Sequence, residues 1–134
     1  KAFEAQAQLA KKSGIPLILH CVKGTHLLQE YLKFHPEPPI IIWHGFNQNS
    51  QIAEKLLSFP IYFSFGKAIL KQDSNAQKWL LKCPLDQIFF ETDNSDIPIS
   101  VIYQQASLLL GLSAGQLAGQ VKENWNRISK RKIT

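Results

Sequence analysis

The sequence has no methionine and only two cysteines among its 134 residues. Because it begins with Lys and lacks methionine, we expect the chain to be a piece of a longer protein. Cys21 and Cys83 lie far apart in the sequence. Two isolated thiols favour reduced cysteines of a cytoplasmic protein over a disulfide.

Long apolar runs are also missing. No run reaches the roughly 18 residues needed to span a bilayer, and the polar opening KAFEAQAQLAKK is unlike a signal peptide. Leu, Ile, Val and Phe are nevertheless frequent enough to build a core, which argues against disorder. We therefore expect one cytoplasmic domain over residues 1–134 that makes no contact with a membrane.

Several functional motifs are absent. The sequence contains no glycine-rich phosphate loop, no CxxC pair and no serine nucleophile elbow. The net charge of +5 would suit a polyanionic partner, but the lysines are scattered. Only Lys130, Arg131 and Lys132 cluster, at the end of the chain, where a solvated tail is the common role. Charge alone gives weak support for nucleic-acid binding.

Helix and strand signals alternate along the chain. The short apolar runs recur roughly every 20 to 27 residues, which is the spacing of parallel βα units buried on both faces. The predicted strands are 15–20, 40–44, 61–66 and 87–92, and the predicted helices are 2–13, 25–34, 47–59, one from Ser74, 98–111 and 113–128. The pattern predicts an α/β fold with four parallel strands and flanking helices.

A few side chains carry specific packing predictions. Ser74 with Gln77, and Ser113 with Gln116, have the spacing of a capping box at a helix start. We expect Trp79, Leu80 and Leu81 to face inward. We also expect Trp43 and Phe46 to pack against helices rather than to stack on bases, and His26 and His35 to lie on the surface.

Three of the apolar runs lead into a residue that can bind a metal: His20, His44 and Asp93. Considered singly, each residue could have a purely structural role, as a histidine at the edge of the core or as an aspartate that caps a helix. Together they favour a divalent-metal site, because parallel α/β proteins place their chemistry at the carboxyl ends of strands. Glu91 lies two residues before Asp93 and so shares its face of the strand. Lys23 could contact a phosphate, although an ordinary surface lysine is as good an interpretation.

These residues lie within a longer resemblance. The segments FEAQAQLAKKSGIPLILHC, WHGF, AEKLL, IYFSFG, PLDQIFFETD and ENWNRI, in this order, resemble the TatD-type metal-dependent deoxyribonucleases. These are TIM barrels of the amidohydrolase-like superfamily. The resemblance extends over nearly the whole chain and implies strands 5–8 of such a barrel, hence a parallel (βα)4 half.

The resemblance implies roles for individual residues. His20, His44 and Asp93 match the family's metal ligands, and Glu91 matches the glutamate of its ETD motif. It implies divalent ions (Mg, Mn or Zn), DNA or another phosphoester as substrate, and attack by a metal-activated water. Asp93, with Glu91 nearby, would be catalytic, and Asp93 could help to accept the proton of that water.

The chain also departs from the family pattern. An N-terminal His-x-His pair and a bridging glutamate would belong to the other half of the barrel, so we expect the isolated chain to be inactive. A first alternative is a noncatalytic half-barrel, or degenerate remnant, that forms a homo-oligomer through exposed sheet edges. A second alternative is a nonspecific nucleic-acid binder, which would bind without metal and weaken steeply with salt.

Overall fold

The computed structural model describes residues 2–20, 25–35, 37–92 and 96–129. Within these residues, helices and strands alternate as the sequence predicts. They are α1 (Ala2–Ser13), β1 (Leu17–His20), α2 (Thr25–Phe34), β2 (Ile41–His44), α3 (Ser50–Leu56), β3 (Ile61–Phe65), α4 (Asn75–Leu80), β4 (Ile88–Phe90), α5 (Ile99–Leu110) and α6 (Ala114–Ile128). Short 3-10 turns at Lys67–Leu70 and Leu85–Gln87, which the sequence did not predict, precede α4 and β4.

The four strands form one sheet in the order β1-β2-β3-β4, and every neighbouring pair is parallel. His20 aligns with His44 in the register of β1 and β2, and Phe65 aligns with Phe90 in that of β3 and β4. All four carboxyl ends therefore lie along one edge of the sheet. The predicted α/β class and the parallel four-stranded sheet are confirmed.

One face of the sheet carries the main core. Side chains of alternate strand residues are fully buried there and pack with apolar side chains of the helices. The strand residues in this cluster are Ile41, Trp43, Ile61, Phe63, Phe65 and Ile88. Trp43 and Phe46 are both completely buried, so the prediction that they are packing residues is confirmed.

The other face carries a smaller apolar cluster of Ile42, Tyr62 and Phe89, against which the second half of α6 packs. Asn124 of α6 is fully buried, and its side-chain amide donates to the carbonyls of Leu85 and Ile88 at 2.9 Å. These bonds fix α6 to the start of β4. Strand parity places His44 and Glu91 on this second face, beyond its apolar cluster.

Predicted details of α3 and α4 differ from the structure. The third helix ends at Leu56 instead of reaching Phe59, because the next residues form tight turns in which Phe59 N–H donates to the Leu56 carbonyl. The following Pro60 also disfavours helical backbone at Phe59. Leu81 is 56% exposed, so its predicted inward orientation is wrong. It lies about 200° around the helix from Trp79, which takes the buried position.

Helix ends follow the predicted chemistry more closely. Gly14 has a positive φ of 69°, the conformation that suits a helix-terminating glycine. Ser113 and Gln116 form a complete capping box at the start of α6. None of the helices in the described segments is long and apolar enough to cross a membrane.

Candidate metal centre

The strand register brings the candidate residues to one end of the sheet. His20 and His44 end β1 and β2 side by side, and Glu91 directly follows β4, where its N–H donates to the Phe65 carbonyl at 2.9 Å. The side chain of His20 is not among those described. Lys23 and Asp93 lie outside the described residues, so their predicted roles remain predictions.

The central contact of the site joins His44 to Glu91. Nδ1 of His44 lies 3.0 Å from Oε2 of Glu91, and the two side chains are 20% and 10% exposed. The same carboxylate oxygen accepts the backbone N–H of Gly45 at 3.0 Å. A neutral imidazole that donates from Nδ1 carries its lone pair on Nε2.

Two glycines make room for the Glu91 side chain. Gly45 adopts a φ of +66°, which a residue with a β-carbon rarely tolerates. A β-carbon on Gly66 would lie 3.0 Å from both Cγ and Oε1 of Glu91. The backbone turns after β2 and β3 therefore form a cradle for the carboxylate, which we call the glycine cradle (Gly45 and Gly66).

Aromatic packing beneath the site holds the end of β2. Phe46 contacts Trp43 and Phe63 edge to face, with ring centroids 5.0 and 4.9 Å apart. Beyond it, the side-chain oxygen of Asn47 accepts the Ala76 N–H at 2.9 Å and so ties the loop after β2 to the start of α4. The N-cap of α3 is Asn49, whose side-chain oxygen accepts the Ile52 N–H at 2.9 Å.

The side chains described at this site carry the kinds of atoms that bind divalent metals. Imidazole nitrogen with carboxylate support is the usual environment of a metal-binding histidine. In the described part of the chain, no group of three or more His, Cys, Asp or Glu side chains is placed to hold an ion. Among the described side chains, His44 is the one predicted ligand, and its Nδ1 contact with Glu91 suits coordination through Nε2.

Comparison with known proteins decides the family. Residues 1–128 match the model of the family described as TatD related DNase. The chain belongs to this family. The match extends over all four strands and the whole of the candidate centre, so the resemblance seen in the sequence is confirmed.

Curated relatives agree with the family. The chain is 31% identical over 99 residues to the metal-dependent hydrolase YjjV of Escherichia coli K12, covering 73% of the chain and 38% of YjjV. It is 29% identical over 98 residues to a metal-dependent hydrolase of Haemophilus influenzae, covering 72% of the chain and 37% of that protein. It is 36% identical over 97 residues to the human 3'-5' RNA nuclease TATDN2, covering 69% of the chain and 13% of that protein.

Solved structures show the same fold. The crystal structure of the TatD homologue YjjV from E. coli superposes with a TM-score of 0.80 at 24% identity, covering 92% of the chain and 53% of YjjV. A TatD-family hydrolase from Entamoeba histolytica gives a TM-score of 0.74 at 12% identity, covering 96% of the chain and 55% of that protein. The chain thus spans about half of these TIM-barrel structures and less than two fifths of the curated relatives.

Outside the site, His35 is half-buried rather than a plain surface residue. Its ring stacks on Tyr31 at a centroid distance of 4.2 Å, and its Nδ1 contacts the Tyr31 carbonyl at 3.0 Å. It directly follows α2, at the opposite end of the βα unit from the carboxyl ends of the strands. The structure therefore separates His35 from the candidate centre.

Proposed function

We propose that the chain is the C-terminal half of a divalent-metal-dependent hydrolase that cleaves phosphodiester bonds of DNA. Its contribution is a set of ligands: His20 and His44, which end the neighbouring strands β1 and β2, and Asp93, which follows β4 in the sequence. The observation that carries the proposal is the 3.0 Å contact between His44 Nδ1 and Glu91, which orients a histidine at the strand ends as metal sites require. Membership of the TatD family supports it.

The metal ion and the side chains of the site would have different roles in the reaction. A bound divalent ion would acidify water and neutralise phosphate charge. Asp93, as a carboxylate beside the attacked phosphate, would accept a proton from that water, and the ammonium of Lys23 would hold a phosphate oxygen as a point charge. Mg, Mn and Zn are all compatible with mixed imidazole and carboxylate ligands.

We further propose that the 134 residues alone do not turn over substrate. The chain spans about half of the related TIM barrels. The His-x-His pair and bridging glutamate expected for the other half would complete a two-metal centre. Three ligands at one side of the site can hold one ion, but they cannot clamp both the attacking and the leaving oxygen.

The substrate is proposed from family membership. The family description names DNA cleavage, whereas one relative is named as a 3'-5' RNA nuclease. DNA is our first candidate, and RNA and other phosphoesters are assayed beside it. The buried Cys83 carries a free thiol, which is compatible with the reducing cytoplasm that we propose as the protein's location.

Metal binding tests the proposal directly. Calorimetric titration of the chain with Mn²⁺ or Zn²⁺ should give one site, which His44→Ala weakens by at least tenfold and the matched control His35→Ala leaves unchanged. Labelled DNA and RNA incubated with the chain and Mn²⁺ should remain uncut. Equal binding by His44→Ala and the native chain would contradict the metal assignment. Cleavage that His44→Ala abolishes would contradict the proposed inactivity.

A second candidate function is assembly. Within the described residues β1 is an edge strand, and Ile15 just before it and Ile18 within it are 52% and 57% exposed. Such an edge can pair with a second copy of the chain. Light scattering would then give a dimer that Ile18→Lys converts to monomer. A native chain that is monomeric at all concentrations would exclude this function.

A further inference from the structure

We propose that Glu91 is a positioning residue, which holds the His44 imidazole in the tautomer with hydrogen on Nδ1 and thereby fixes Nε2 as the metal-binding atom. The inference rests on the proposed function in one respect, the assignment of His44 as a ligand. It assigns Glu91 a role different from that of a ligand or a general acid or base.

One oxygen atom carries the argument. Oε2 of Glu91 lies 3.0 Å from His44 Nδ1 and accepts the Gly45 N–H, also at 3.0 Å. Both donors belong to the same stretch of backbone. The carboxylate is therefore fixed to the chain that carries the imidazole, and the ring has its orientation set at both its attachment point and its Nδ1.

The second carboxylate oxygen, Oε1, also packs against the protein. Oε1 of Glu91 lies 3.0 Å from the β-carbon position of Gly66 and 3.5 Å from that of Gly45. The Glu91 side chain is only 10% exposed. Both oxygens thus face the glycine cradle and the histidine. A general acid or base instead needs an oxygen that reaches substrate or its water.

A carboxylate in this position acts on a metal through the histidine. It keeps the ring from rotating and raises the basicity of the opposite nitrogen. Changes to such supporting groups typically weaken metal affinity by about 10–100-fold. Because Oε2 alone accepts both hydrogen bonds, the amide oxygen of Glu91→Gln can reproduce them, whereas Glu91→Ala cannot.

The tautomer can be measured without metal. Long-range ¹H–¹⁵N spectra of the metal-free chain, taken where His44 is neutral, should show the hydrogen on Nδ1. Glu91→Gln should keep that pattern, and Glu91→Ala should lose the Nδ1 preference. Glu54→Gln, which removes an exposed carboxylate on α3, is the charge-matched control and should leave the pattern of the native chain.

Metal titration of the same variants separates the two proposals. We expect Glu91→Ala to lower the affinity for Zn²⁺ by about 10–100-fold, and Glu91→Gln to lower it less. A native chain with hydrogen on Nε2, or a tautomer unchanged by Glu91→Ala, would overturn the positioning role even if His44 binds metal. If the chain binds no metal, the proposed function fails, and the tautomer still decides the role of Glu91. The native spectrum alone suffices if Glu91→Ala does not fold.

Discussion

Gly66 and Glu91 are in direct contact, with the glutamate side chain occupying the space that a β-carbon on Gly66 would need. Gly66 directly follows β3 and Glu91 directly follows β4, so the contact joins the ends of two neighbouring strands. The glycine is therefore required by packing against the carboxylate that holds His44. A change at Gly66 should disturb the candidate centre without altering any of its polar residues.

The first prediction concerns this contact. Gly66→Ala should lower the free energy of unfolding by about 1–3 kcal/mol, because the new methyl group must displace Glu91 or the backbone. It should also reduce the Nδ1 preference of His44. Gly119→Ala is the control, since apart from its chain neighbours and its own helix backbone nothing lies within 4 Å of its β-carbon position. In the middle of α6 it should stabilise the chain by about 0.5–1 kcal/mol. Urea unfolding measures both, and equal effects would contradict the contact.

The sequence predicts those parts of the site that depend on local interactions. Strands, their parallel order and the arrival of His44 and Glu91 at one edge follow from apolar runs and βα spacing. Their pairing does not, because the two residues are 47 positions apart and the contact depends on the exact turn of each strand end. The glycine cradle has the same origin: Gly66 has a negative φ of −128°, and its contact with Glu91 exists only in the assembled sheet.

The capping boxes show the same division. Ser113 and Gln116 form both hydrogen bonds of the capping box, as the spacing predicts. At Ser74 the hydroxyl accepts the Gln77 N–H, but the Gln77 side chain bonds Asp73 N–H and the Ile69 carbonyl instead of returning to Ser74. The 3-10 turn before α4 presents that carbonyl. Local spacing therefore predicts the first half of a cap and misses a competing partner.

The second prediction concerns the attachment of α6. Asn124→Ala should lower the free energy of unfolding by about 3 kcal/mol, because the Leu85 carbonyl and the buried Ile88 carbonyl lose their donor. Asn124→Asp should cost at least as much at neutral pH, since a carboxylate would face two carbonyl oxygens. The adjacent, exposed Glu123→Ala should stay within about 0.5 kcal/mol of the native chain. A tolerated Asn124→Asp in urea unfolding would refute the arrangement.

The third prediction is a pH dependence at Cys83. Burial, with a smaller effect from the Asp86 charge, raises the pKa of the Cys83 thiol. The thiol stays protonated in the folded chain and ionises in the unfolded one above about pH 8.5. Its contribution to stability is therefore complete below that pH and is lost as the pH rises further.

Cys83→Ala isolates this contribution. At pH 7.5 the free energy of unfolding of the native chain should exceed that of the variant by about 1 kcal/mol. At pH 10 this difference should have decreased by about 2 kcal/mol, because only the native chain releases this proton on unfolding. The variant should then be the more stable of the two. Urea unfolding at the two pH values gives the comparison. A difference that stays constant with pH would show that the thiol is not protected from ionisation.

The fourth prediction compares two helix caps. Ser113 is exposed and accepts the Gln116 N–H at 3.0 Å. Ser74 is buried, accepts the Gln77 N–H at 3.1 Å and also donates to the Ala68 carbonyl at 2.7 Å. Ser113→Ala should therefore cost about 1 kcal/mol, and Ser74→Ala about 2 kcal/mol.

Aspartate at each position separates the two roles. Ser113→Asp should retain native stability, because a carboxylate accepts the N–H of Gln116 as well as a hydroxyl does. Ser74→Asp should not, because it has no hydrogen to donate to Ala68 and buries a charge beside that carbonyl. Thermal unfolding of the four variants provides the test. Equal recovery by both aspartates would mean that the donated hydrogen bond adds nothing, and that Ser74 acts only as a cap for α4.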